Sequence, residues 1–311
     1  MDIQFANDIK LGLTNKNKFI PDRQYYDNKG SIYFQELMSS SDYYVTDSEY
    51  EIFDNYKAEL CKVFTKDTNE FKIIEFGAGD GLKTKLLLQE CSKNHKTSYF
   101  PIDFSKKYLD DMEKDFAENL PEININKINA DYFEALEMLE KDEKSRKIIL
   151  FIGSSLGGLT DVEMDNFFSR LSGLLNKGDI LFFGFDLKKT PEILYKAYHN
   201  TCKNWCSYLL QRVNKELNAN FNLDKFEYYT TYNPENGKFK WYFISKEKQS
   251  VKIKDINLEI NFELGEPIYI GQSKKFSIAE INNIAKKYVF KDLKFYFDTK
   301  NYFTDVIFIK P

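Results

Sequence analysis

One short stretch narrows the choice of fold more than any other. The apolar run Phe71-Lys72-Ile73-Ile74-Glu75-Phe76 stops at Gly77-Ala78-Gly79-Asp80-Gly81, and a helical pattern follows over 82–90. A six-residue run rich in Ile and Phe and bounded by glycines reads as a strand. Glycines supply the positive φ angles of a tight turn and let a ligand come close to the backbone. The free N–H groups at the start of the following helix favour an anionic or strongly polar ligand. Strand, glycine turn and helix in this order form the first crossover of an open α/β sheet. Such sheets bind ligands beyond the carboxyl ends of their strands.

The rest of the chain extends this reading. Further strand signals lie at 98–103, 147–152 and 179–185, separated by helical patterns over 105–119 and 160–175. Alternation of strands and helices implies crossover connections and a mostly parallel sheet. Burial on both faces explains strands that are continuous apolar runs. Residues 1–50 read as polar and turn-rich, and 48–65 as a helix carrying Tyr50, Phe53, Leu60, Val63 and Phe64. Beyond Leu187 the texture changes to one long helix over 191–218 and strand-like segments at 226–232, 238–245 and 251–262. Asn233-Pro234-Glu235-Asn236-Gly237 has the residues of a hairpin turn. The first texture returns with a helix at 278–288 and strands at 293–298 and 302–310. The predicted fold is therefore α/β: a Rossmann-like, doubly wound core from 47–187 completed by 276–311. A second, α+β substrate-binding domain is expected from 1–46 plus 188–275.

Composition excludes several classes. The net charge of −4 gives no basic footprint, so no nucleic-acid partner is expected. No window approaches the roughly 20 apolar residues of a membrane span, and the first residues lack the charged and apolar regions of a secretory signal. Four cysteines without scaffold spacing suit a reducing, cytoplasmic setting, with a monomer or weak dimer expected. With 28 Phe and 21 Tyr in 311 residues, pockets here should be lined by rings.

The glycine spacing separates nucleotide-binding types. A dinucleotide fingerprint is G-x-G-x-x-G, and a P-loop would need G-K-[ST] after the turn. Here Gly77, Gly79 and Gly81 form G-x-G-x-G behind an acidic strand residue, Glu75, the form that methyltransferases use for S-adenosylmethionine. A hydride-transferring oxidoreductase is the main rival, and the spacing counts against it. Asp103, at the end of the next strand, is placed to receive two ribose hydroxyls. Asp131 is placed to hold an exocyclic adenine amine, with Tyr132 flanking the base. His199, Cys202 and Cys206 share a helical face, but no fourth ligand is in view, so no metal is expected.

These motifs together resemble the histidine Nα-methyltransferases of ergothioneine biosynthesis. The resemblance runs from about Arg23 to Lys310. Arg23-Gln24-Tyr25-Tyr26-Asp27-Asn28-Lys29-Gly30-Ser31-Ile32-Tyr33-Phe34 is similar to that family's Y-F-Y-D-x-x-G-S-x-L-F segment, and Asp42-Tyr43-Tyr44-Val45-Thr46 to its P-E-Y-Y-x-T turn. Phe151-Ile152-Gly153-Ser154-Ser155-Leu156-Gly157 and Asn214-Lys215-Glu216-Leu217 also match. The resemblance implies S-adenosylmethionine as cofactor, held by Gly77, Lys83, Asp103, Asp131, Tyr132 and Gly153. It implies that Tyr26, Tyr43 and Tyr198 contact an amino acid substrate.

The acceptor side departs from the family. Its substrate-gripping Asn falls on Gly158, and the Glu and Ser that recognise imidazole fall on Gly271 and Ser273. A pocket Met falls on Trp241. Losing such anchors costs about 1–3 kcal/mol per buried hydrogen bond, which argues against histidine itself as the acceptor. The expected function is S-adenosylmethionine-dependent N-methylation of a small amino acid or related amine. The alternative is a cofactor-binding protein that has lost catalysis and acts as a partner or scaffold.

Overall fold

The computed structural model describes residues 2–68, 70–130, 132, 134–135 and 145–311. The chain runs through α1 (Ile3–Thr14), α2 (Asn28–Met38), α3 (Tyr44–Phe64), β1 (Phe71–Phe76), α4 (Leu82–Ser92), β2 (Thr97–Ile102), α5 (Lys106–Asn119), β3 (Asn124–Ile125) and β4 (Arg146–Phe151). Next come α6 (Asp161–Leu174), β5 (Ile180–Asp186), α7 (Pro191–Tyr195), a π-helical turn (Lys196–Asn200) and α8 (Lys203–Glu216). The remainder is β6 (Phe226–Asn233), β7 (Lys238–Ser245), β8 (Gln249–Ile253), β9 (Leu258–Phe262), β10 (Pro267–Lys274), α9 (Ile278–Lys287), β11 (Lys291–Phe297) and β12 (Phe303–Ile309). Two compact units result, Met1–Tyr44 with Lys189–Lys274, and Val45–Lys188 with Lys275–Pro311.

The Val45–Lys188 unit holds a seven-stranded sheet in the order β11-β12-β5-β4-β1-β2-β3. Strands β1 to β5 pair in parallel, and β12 lies antiparallel between β5 and β11. This is a Rossmann-like α/β sheet whose order reverses at β1, and β1 ends in the glycine turn. Phe76, Phe151, Phe167 and Phe183 are fully buried beneath that reversal, and each contributes about 1.5–3 kcal/mol by burial. Helix starts follow local chemistry. The Ser105 hydroxyl accepts from Tyr108 N at the start of α5, and Thr160 with Glu163 forms a capping box at the start of α6.

The Met1–Tyr44 unit carries a three-stranded antiparallel sheet, β10-β7-β6, and the hairpin β8-β9. Several readings of this unit are corrected. Residues 1–46 contain two helices, capped by the carboxylates of Asp2 (from Phe5 N, 3.1 Å) and Asp27 (from Gly30 N, 2.7 Å). Their apolar faces are short, Phe5, Ile9 and Leu13 in α1, which is why the periodicity was weak. The single strand expected at 251–262 is two, because Asn257 turns the chain at φ +47. The expected long helix is interrupted by the π-helical turn, and β10 had no clear signal. A buried network ties the N-terminal segment down: Arg23 Nε and Gln24 Nε2 donate to Asp8 at 2.8 and 2.5 Å, and Arg212 donates to the Gln24 carbonyl at 2.8 Å.

Candidate active site

The glycine turn follows β1 with φ of +68, +56 and +69 at Gly77, Gly79 and Gly81, a region in which only glycine is comfortable. Gly77 N and Ala78 N donate to Ile102 O at 2.8 and 3.1 Å, which locks the turn to the end of β2. Asp103 follows β2 directly. Its carboxylate accepts Gly79 N at 2.9 Å and Ser105 N at 2.8 Å. Burial pushes the Asp103 carboxyl above its usual range, and these two N–H donors pull it back.

A cofactor needs room where a side chain would otherwise stand. A Cβ on Gly79 would meet nothing within 4 Å, whereas one on Gly77 would lie 3.0 Å from the Tyr132 hydroxyl. Gly79 therefore opens on a cradle with Asp103 on one side. Tyr132 packs edge-on against Phe151 (4.8 Å) and Phe76 (6.0 Å) and tilts towards Phe104 (6.0 Å). Asp131 lies outside the described residues. Glu75 is buried below the turn, where its carboxylate accepts the Tyr99 hydroxyl; burial lifts its pKa to about 7 against the pull of that hydrogen bond.

At the other end of the cradle the chain brings together residues from three elements. Gly153 follows β4 at φ +73, and Ser154 continues left-handed at φ +59. Lys83, in the first turn of α4, forms an ion pair with Glu49 of α3. The same Glu49 carboxylate accepts Gly153 N at 2.7 and 3.0 Å. Burial alone would lower the Lys83 pKa, but the Glu49 carboxylate outweighs it and the net shift is upward. Glu49 was not singled out from the sequence. Its signal was its place on the buried stripe of Val45, Ile52, Phe53 and Leu60, where a charge needs a reason. Gly158, the acceptor-side position on this unit, ends the helical turn Ser155–Gly158.

The other acceptor-side residues lie in the Met1–Tyr44 unit. Tyr198 sits in the π-helical turn, is buried, and meets Tyr43 edge-on at 5.5 Å. The Tyr198 carbonyl takes two side-chain donors. It accepts the Trp241 indole N–H at 2.9 Å and the Tyr228 hydroxyl at 3.3 Å. Trp241 packs on Tyr198 (6.0 Å) and Phe239 (5.6 Å), so its ring is a fixed wall. Gly271 pairs with Trp241 and Ser273 with Phe239 across β10 and β7. Gly271 lies at a register shift with φ +143, and a Cβ there would meet Trp241 and Asp22 only at 3.8 Å. The glycine thus does more than open space: the backbone itself requires it. Tyr26 is more exposed and packs on Phe34 and Trp205 at 5.8 and 5.9 Å.

His199, Cys202 and Cys206 have other partners. The His199 Nδ1 pairs with Thr230 Oγ1 at 2.9 Å and its ring stacks on Tyr228 at 5.2 Å, while both cysteines are buried. Among the described residues no His, Cys, Asp and Glu group is arranged to hold a metal, and no helix is long and apolar enough to cross a membrane.

A mostly parallel sheet with this strand order, a glycine cradle and an acid at the tip of the neighbouring strand define a methyltransferase dependent on S-adenosylmethionine. Residues 5–310 match the family described as histidine-specific, S-adenosylmethionine-dependent methyltransferases, and the chain belongs to it. It is 29% identical over 273 residues to a histidine N-alpha-methyltransferase of Mycolicibacterium smegmatis, covering 86% of this chain and 83% of the relative. It is 24% identical over 294 residues to an L-tryptophan methyltransferase of Psilocybe serbica, covering 86% and 82%. Among solved structures, a possible exported protein from Bordetella parapertussis has a similar fold, with a TM-score of 0.52 at 12% identity over 99% of this chain and 95% of that one.

Proposed function

We propose that the chain methylates the amino nitrogen of a small amino acid or related amine whose side chain is aromatic or apolar and not imidazole. In this reading Asp103 receives the ribose hydroxyls, and Tyr132 with Asp131 holds the adenine. Gly79 leaves room for the nucleoside, Gly77 and Glu75 complete the cofactor-binding turn, and Lys83 and Gly153 meet the amino-acid end. S-adenosylmethionine supplies the activated methyl group. Tyr43 and Tyr198 orient the acceptor's amino acid part, Tyr26 lines its side-chain end, and Gly158, Gly271 and Ser273 with Trp241 shape the remainder.

The observation that supports an altered acceptor is the wall at Gly271. Where the family places an acid for the imidazole, this chain has a glycine whose backbone excludes other residues, facing a fixed indole. A ring or aliphatic chain can lie there without leaving a polar atom unpaired, and an imidazole would lose its partner. A tryptophan methyltransferase among the relatives is consistent with an aromatic acceptor. No dedicated base is needed in this scheme. Methyl transfer requires the acceptor lone pair held in line at about 3–3.5 Å, and positioning supplies most of the rate. Transfer of labelled methyl from S-adenosylmethionine across a panel of amino acids and amines tests the reading. An aromatic amino acid should exceed histidine in kcat/KM by at least about tenfold, the worth of one lost hydrogen bond of ~1.4 kcal/mol. Histidine turnover equal to the best acceptor would overturn it.

A further inference from the structure

We infer that Glu49 is a cofactor-binding residue that receives the α-ammonium of the cofactor's methionyl group, while Lys83 receives its carboxylate. The inference rests on the cofactor assignment above and concerns a residue that none of the motifs included. Glu49 is fully buried, and its carboxylate lies where the ends of β1, β4 and β5 meet: Lys83 approaches it from α4, Gly153 N from the end of β4, and Gly184 from β5. A Cβ on Gly184 would stand 2.4 Å from Glu49 Oε1, so β5 keeps a glycine there to admit the carboxylate. The Lys83 side chain, 18% exposed, is the outer partner of the pair.

A second carboxyl makes the arrangement more than an ordinary ion pair. Asp305 of β12 is fully buried, and neither of its oxygens receives a hydrogen bond among the described residues. The same Gly184 position lies 3.1 Å from Asp305 Oδ1, which puts the two carboxyls side by side. Burial, then the Glu49 carboxylate, push the Asp305 carboxyl far above its usual range. Glu49 and Lys83 thus face each other as an ion pair, with Asp305 beside Glu49. A zwitterionic amino-acid head group carries the complementary pair. Inserted there, it gives alternating charges, with its ammonium on Glu49 and its carboxylate on Lys83. A group held by charge-assisted bonds at both ends is fixed in position, which is what methyl transfer demands of its donor.

The test compares two ligands by calorimetry: S-adenosylhomocysteine, which has the head group, and 5′-methylthioadenosine, which lacks it. The protein should bind both, the first more tightly. In Glu49→Gln, S-adenosylhomocysteine affinity should fall about 10- to 100-fold, the usual worth of a hydrogen bond to a charged group, while 5′-methylthioadenosine affinity stays unchanged. Retained 5′-methylthioadenosine binding also reports that the variant is folded. Equal weakening of both ligands, or no weakening of either, would overturn the inference and leave the cofactor assignment standing. Failure of the unmodified protein to bind either ligand would instead sink the cofactor assignment. The milder Glu49→Asp, which keeps the charge, should recover part of the loss for S-adenosylhomocysteine alone; a loss as large as that of Glu49→Gln would argue against charge recognition.

Discussion

The two units carry the proposed cofactor and acceptor residues in different settings. In the Val45–Lys188 unit the polar groups converge from the ends of parallel strands, and backbone N–H groups do much of the holding: Gly79 N and Ser105 N fix Asp103, and Gly153 N fixes Glu49. In the Met1–Tyr44 unit the surfaces are rings. Tyr43, Tyr198, Phe239 and Trp241 pack on one another, and the Trp241 indole N–H donates to the Tyr198 carbonyl in the π-helical turn. The first mode depends on backbone geometry and tolerates little change in its glycines. The second depends on which side chains fill a space and is open to substitution. On the proposed assignment, that contrast would let a family keep its methyl donor while its acceptors diverge.

Four experiments can break or sharpen the contrast. Asp103→Ala removes the proposed ribose acceptor and the anchor of Gly79. S-adenosylhomocysteine affinity measured by calorimetry should fall at least about 100-fold, two hydrogen bonds to a charged group at ~1.5–3 kcal/mol each. A loss below tenfold would mean that the cradle does not depend on this acid. Glu75→Gln should change the pH dependence of stability. The Glu75 pKa rises from 4.5 to about 7 on folding, so the folded state holds the extra proton and stability falls as pH climbs between those values. The neutral variant lacks that slope and should gain up to ~3 kcal/mol relative to the parent between pH 4.5 and 8, read from urea unfolding. The same difference at both pH values would refute the assignment.

The remaining two probe the ring-lined unit. Gly271→Glu restores the family's acid, but at φ +143 it should cost ~1–3 kcal/mol of stability and confer no histidine activity. A variant as stable as the parent that turns over histidine would show the glycine to be an accident. Tyr198→Phe has the smallest effect: acceptor KM should rise about 2- to 10-fold for one lost hydrogen bond of ~0.5–1.5 kcal/mol, with S-adenosylhomocysteine affinity unchanged. Cofactor affinity falling in step would break the separation between the two modes.

Much of the cofactor-binding unit was legible because its determinants are local. The strand Phe71–Phe76 and the glycines behind it must adopt that turn wherever they occur, and Asp103 is placed by the end of its own strand. Alternating strands and helices then leave few topologies, since crossovers are right-handed and short. Less of the other unit could be read, because α1 and α2 show only short apolar faces and β10 gains its structure from β7.

From the sequence alone came the fold class, the methyl donor and the departure of the acceptor side from its family. Tertiary structure alone decided what surrounds Glu49 and which backbone angle Gly271 adopts. Glu49 is one more acid on a helix until folding brings Lys83, Gly153 and Asp305 around it from elements far apart in the chain. Gly271 resembles a simple deletion of a side chain until the shifted register of β10 sets its φ angle. In both cases the energy lies in long-range contacts, to which local spacing is blind.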